Sequence, residues 1–139
     1  MNLALVSAAI ETRITGDTGT GGLMETGGGL INGVWFDTPI GGAAKPFVVV
    51  SFPSSEQDDT FAKDAVDISV EFVVAIDRRS GTFATDSAIL KRLEARFHRW
   101  AMTLTGYNAT AMGRISGTTL HDEQTRHYVE QYAVRIEEA

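Results

Sequence analysis

From Val66 to Asp77 the chain alternates. Val66, Ile68, Val70, Phe72, Val74 and Ile76 are apolar, and Asp67, Ser69, Glu71 and Asp77 stand among the intervening positions. A period of two sustained over this length predicts a long, half-buried strand. At ~3.3 Å per residue such a strand extends roughly 40 Å, about twice the usual length. A chain of 139 residues has the size of one domain. Part of the strand is therefore expected to reach past the domain body toward another subunit.

Composition narrows the classes of function. The net charge is −6 and the pI about 4.9, which argues against general nucleic-acid binding, because that needs a basic surface to displace counterions. There is no cysteine, so neither a disulfide nor a thiolate site is available. Residues 1–10 are apolar but short and lack a basic leading segment, so a signal peptide is not expected. No run approaches the ~18–20 apolar residues of a membrane span. The expectation is a soluble protein made inside the cell.

Leu3, Val6, Ile10 and Ile14 recur at helical spacing and predict a helix over residues 2–14, stopped by Gly16. Residues 16–33 then hold Gly16, Gly19, Gly21, Gly22, Gly27, Gly28, Gly29 and Gly33, with Leu23, Met24, Leu30 and Ile31 as the apolar relief. So much glycine loses a large backbone entropy on ordering, so this segment reads as a long flexible loop. Val34–Phe36 reads as a short strand, and Phe47–Phe52 as a second, bounded by Pro46 and Pro53. Residues 53–60 form a polar connection carrying Glu56, Asp58 and Asp59, leading into the long strand from near Phe61 or Ala65 and closing an antiparallel hairpin. Ser80–Thr82 offers an N-cap for a helix over residues 84–102, with Ile89, Leu93, Phe97, Trp100 and Leu104 as its stripe and Gly106 as its stop. Lys91, Arg92, Arg96 and Arg99 fall on a neighbouring arc. A final hairpin runs over residues 111–120 and 125–137, turning at His121–Gln124, with Glu130 interrupting an apolar face and marking a bulge or an intersubunit contact. The fold class is α+β: an antiparallel sheet with a long hairpin, packed by two helices, in a single domain over residues 1–139.

Motifs for chemistry are missing. The glycine segment has neither the spacing nor the lysine of a phosphate loop, and it follows a helix where a strand is needed. His121 and His127 are six apart across a turn, not four apart on one helical face, so with Asp122 and Glu123 they read as a polar hairpin tip. No Gly-x-Ser-x-Gly elbow accompanies His98, which reads as solvated. Glu56–Asp59 lacks the alternating pattern of a calcium loop. No catalytic, cofactor-binding or metal residue is assigned. The candidate interface residues are the acidic Glu56, Asp58 and Asp59 and the basic Lys91, Arg92, Arg96 and Arg99. The basic arc reads either as a site for an acidic partner surface or for DNA passing nearby, or as a solvated helix face suited to the helix dipole. The two charged groups also suit complementary halves of a head-to-tail contact, which closes into a ring when the rotation permits.

The order of elements resembles the tail terminator and tail-completion proteins of long-tailed bacteriophages. The matching parts are the N-terminal helix, then Lys45-Pro46-Phe47-Val48-Val49-Val50 opening a hairpin, the acidic connection and the strand Val66–Ile76. Arg78-Arg79-Ser80, the helix with Leu93, and the last hairpin with Asp122, Arg126-His127 and Tyr132-Ala133-Val134 follow. The likeness lies in layout, and segment 16–33 is longer than that family leads one to expect. The resemblance implies a structural virion protein with no enzymatic activity. It implies a homo-hexameric ring on the head-proximal end of the tail tube that ends tube polymerisation, meets the head–tail connector and lets DNA pass through its channel. It also implies assembly in the host cytoplasm, with no membrane and no cofactor. Two other readings remain: a head-completion or adaptor protein of the neck, and a small α+β dimer that binds a ligand in a closed apolar pocket.

Overall fold

The structure, a computed structural model, describes residues 3–38, 43–57, 64–78, 83–122 and 124–139. In chain order the elements are α1 (Leu3–Thr15), β1 (Val34–Phe36), β2 (Phe47–Gln57), β3 (Ala65–Asp77), α2 (Phe83–Phe97), β4 (Tyr107–Ala109), β5 (Gly113–His121) and β6 (Thr125–Glu138). They form an α+β fold with one six-stranded sheet in the order β1-β2-β3-β6-β4, with β5 also on β6. Every pairing is antiparallel except the parallel β1–β2 edge.

The alternating stretch is β3, and its length is sheltered inside the chain. β6 is just as long and pairs with it at every position from Ala65↔Glu137 to Asp77↔Thr125, while β2 lies along its other side. A second long strand of the same chain thus supplies the partner that so long a strand needs. The register sets the faces. Val70 stands opposite Tyr132, Val74 opposite Tyr128 and Val48, and Ile68 opposite Val134, so the even-numbered face of β3 continues across three strands. α1 adds Val6, Ile10 and Ile14 to this face, and α2 adds Ile89, Leu93 and Phe97. Phe72 lies at the centre, with its ring centroid 4.6 Å from that of Phe97 and 5.4 Å from that of Tyr132. Burial pushes the Tyr132 phenol up to about 12. On the opposite face Trp35, Val49, Val73 and Val129 are only half-buried.

Several boundaries differ from the sequence reading. β2 does not stop at Pro53 but continues to Gln57, with Glu56 paired to Asp67 and a register shift between Ser51 and Ser54. β1 covers β2 only at Val48–Val50. Pro53 thus occupies a bulge on an uncovered stretch, where a missing N–H breaks no ladder bond. α2 ends at Phe97 and not near residue 102. Arg99 adopts a left-handed φ of 66°, its N–H donates to the Met112 carbonyl at 2.7 Å, and the Met112 N–H donates to the Trp100 carbonyl at 2.7 Å. These cross-chain bonds replace the next helical turn. Gly106 instead turns the chain between Leu104 and Tyr107. The Ser80–Thr82 cap and the start near Phe61 lie outside the described residues.

Glu130 interrupts the apolar face for a reason inside the chain. Its carboxylate is buried and accepts from Arg114 Nε at 2.8 Å. The expected bulge is on the facing strand, between Arg114 and Ser116. Gly117 lies opposite Glu130, and a Cβ there would stand 2.4 Å from Arg114 Nη2 and 2.8 Å from Glu130 Oε2. The absent side chain makes room for the ion pair.

A second polar anchor ties the start of α2 to β6. Asp86 is 1% exposed, and its carboxylate accepts from Arg126 Nε at 2.8 Å, Arg126 Nη2 at 3.1 Å and the Tyr128 hydroxyl at 2.5 Å. Burial, and then the neighbouring Asp86, raises the Tyr128 phenol above its usual value. Removing one partner of such a pair leaves a buried charge without compensation. Asp86→Ala is expected to cost about 3–5 kcal/mol in urea unfolding, with D86N losing less.

Candidate subunit and partner interface

Of the seven interface candidates, the structure uses two to fold the chain. Asp17, just beyond α1, is 4% exposed. Its Oδ2 accepts from the Leu23 N–H at 2.8 Å and from Arg92 Nε at 2.8 Å, and Arg92 Nη2 closes the bidentate pair on Oδ1. Arg92 thus holds down the glycine-rich segment from within the chain. Arg96 is also engaged within the chain. Its Nη2 donates to the Arg13 carbonyl at 2.9 Å, and Arg13 Nε donates to the Arg96 carbonyl at 2.9 Å, which joins the ends of α1 and α2 reciprocally. Lys91 and Arg99 remain exposed, as does Glu56. Asp58 and Asp59 lie outside the described residues. Half of the basic arc, Arg92 and Arg96, therefore has partners inside the subunit.

The glycine-rich segment, expected as a flexible loop, follows a defined path. The Met24 N–H donates to the Asp17 carbonyl at 3.0 Å, Thr26 to Thr18 at 3.2 Å and Ile31 to Leu23 at 3.0 Å. Leu23 and Ile31 enter the core. The Asn32 N–H donates to the Pro46 carbonyl at 2.7 Å, delivering the chain into β1 beside β2. Glycine is required where backbone passes close to backbone. A Cβ on Gly22 would stand 2.3 Å from the Asp17 carbonyl oxygen, whereas one on Gly19 would meet nothing within 4 Å.

The polar groups weighed for chemistry have local work. Asp122 caps the β5–β6 turn: its Oδ1 accepts from the N–H groups of Gln124 at 2.8 Å and Thr125 at 2.6 Å, and these bonds hold its carboxyl below the usual range. His127 Nε2 stands 3.9 Å from Asp122, and Glu123 is outside the described residues. His98 is half-buried rather than solvated, and its Nδ1 accepts from the Arg114 N–H at 3.2 Å. Among the described residues no three His, Asp or Glu side chains are grouped as metal ligands would be. Sequence reasoning missed Arg13, Asp17 and Asp86, because each finds its partner at least 40 positions away and no local pattern marks the pairing.

No protein-family description matches the chain, and no curated protein does. Solved structures do. A chain from the virion of a native gene transfer agent particle superposes with a TM-score of 0.71 at 17% identity, covering 98% of this chain and 99% of that one. A second solved chain superposes with a TM-score of 0.65 at 14% identity, covering 98% and 96%. At these identities the likeness is one of fold, and it spans both chains almost from end to end.

Arg92 holds the Asp17 carboxyl down to about 2, with the Leu23 N–H helping against the cost of burial. A carboxyl lowered on folding stabilises fully above its unfolded value near 4, and the benefit disappears as pH falls toward 2. Asp17→Asn is therefore expected to lower stability by about 2 kcal/mol at pH 7 and by little near pH 2; paired urea titrations check this. Gly22→Ala is expected to destabilise by about 2 kcal/mol or more, with Gly19→Ala within ~0.5 kcal/mol of the parent. Equal melting temperatures for these two variants would show that the segment does not follow the path described.

Proposed function

We propose that the chain is a structural protein of a phage-like virion, seated at the neck. In this reading it forms a six-membered ring on the head-proximal end of the tail tube, stops tube growth and presents a surface to the head–tail connector. DNA crosses the channel without sequence-specific contact, and the protein performs no catalysis. The observation that carries the reading is the end-to-end fold likeness to a gene transfer agent virion chain, at a TM-score of 0.71. The order of elements, which resembles tail terminators, supplies the more specific assignment.

The electrostatics bear on how copies meet. With Arg92 and Arg96 engaged internally, Lys91, Arg99 and Glu56 are the described interface candidates still exposed for a neighbour. A contact built on exposed charge is steered and registered by it, and weakens with salt. Light scattering over a concentration series, with negative-stain imaging, is expected to give rings of about six chains in solution or on tube ends. Lys91→Glu and Glu56→Lys are each expected to weaken ring formation by about tenfold while leaving the melting temperature in place. The decisive assay is capping of purified tail tubes, and a protein that leaves tube ends unbound and tube growth unchecked would sink the terminator assignment.

A further inference from the structure

A groove of about 600 Å³ runs along α1 against the segment that follows α2. Leu5, Ala8 and Ala9 form one wall, Trp100 and Leu104 face them, and Arg13 and Arg96 stand in the same lining. Leu5 is 39% exposed, an apolar side chain that the fold itself does not cover. The lining on this side runs from Leu5 on α1 to Gly16 just beyond its end, which is roughly 16 Å at 1.5 Å per residue. That length matches about five residues of extended chain at ~3.3 Å each, and the two alanines let a backbone approach closely.

The charge beside the groove is out of balance. Arg13, Arg92 and Arg96 share the single buried carboxylate of Asp17, and Arg92 already takes both of its oxygens. Arg96 Nε is buried with no hydrogen-bond acceptor among the described residues, and Asp17 Oδ1 stands 3.9 Å from it. The Arg13 guanidinium, stacked 5.1 Å from the Trp100 ring centroid, is made less basic than usual by burial first and by Arg96 second. Crowded cations beside an apolar wall favour an occupant that brings a carboxylate and apolar side chains together, the local positive charge acting against the chain's net charge of −6.

We propose that this groove is the docking site for an extended acidic peptide segment of a partner protein, its carboxylate at Arg13 and Arg96 and its apolar side chains along Leu5, Ala8, Trp100 and Leu104. The inference stands apart from the neck assignment: it is decided by peptide binding to the isolated chain, whereas the neck assignment is decided on tail tubes.

The test uses the whole chain carrying W35F, which leaves Trp100 as the only tryptophan. A blocked six-residue peptide alternating glutamate and leucine is titrated while Trp100 emission is followed, beside the matched lysine–leucine peptide. The expected result is saturable binding of the acidic peptide, about tenfold or more tighter than the basic one and weakened by added salt. Ala8→Glu places a carboxylate on an exposed lining position and is expected to weaken that binding about tenfold without changing the melting temperature; Leu5→Ser is a second fold-neutral check on the apolar wall. Equal binding of the two peptides, no change in emission up to millimolar peptide, or indifference to A8E overturns the proposal. A short DNA duplex that displaces the peptide from Trp100 also overturns it, in favour of a nucleic-acid surface.

Discussion

The antiparallel register between β3 and β6 is the constraint on which the rest of this molecule depends. Thirteen consecutive residue pairs, from Ala65↔Glu137 to Asp77↔Thr125, place one apolar row of each strand on the same face. A slip of one position would turn every one of those side chains to the other face. The helices have somewhere to sit only because the rows coincide: Phe97 meets Phe72, and Phe72 meets Tyr132. The break in the row at Glu130 is repaired by Arg114, and Gly117 leaves the space for it.

Onto that sheet the helices are fastened by buried arginine–carboxylate pairs as well as by apolar packing. Asp86 with Arg126 fixes the start of α2, and Asp17 with Arg92 fixes the glycine-rich segment farther along the same helix. Such pairs contribute little when compared with a well-packed apolar replacement, but breaking one is costly. They act here as locators: each joins elements distant in sequence and admits one geometry. The segment at residues 16–33 needs such a device, because its glycines make the ordered path entropically expensive.

The same arginines shape what the surface offers. Pairing Arg92 and Arg96 within the chain leaves half of the basic arc only part-exposed, with more positive charge at the Arg13–Arg96 corner than Asp17 can balance. That surplus stands beside the apolar wall of Leu5, Ala8 and Trp100, on which the proposed docking of an acidic segment rests.

The elements were legible in the sequence because their signals are local. Alternation over Val66–Asp77 marks β3, the spacing of Val6, Ile10 and Ile14 marks α1, and that of Ile89, Leu93 and Phe97 marks α2. Each follows from a side chain's own preference and its neighbours two to four positions away. The end of α2, the passage of β2 through Pro53 and the roles of Asp17, Arg92 and Arg96 were settled only by the tertiary structure. A left-handed Arg99 bridged to Met112, an edge left uncovered by β1, and an ion pair spanning 75 positions are long-range facts with no local trace. Periodicity tells which face of an element is buried; whether a charge on its flank meets solvent, a partner or its own chain depends on what the fold brings opposite it.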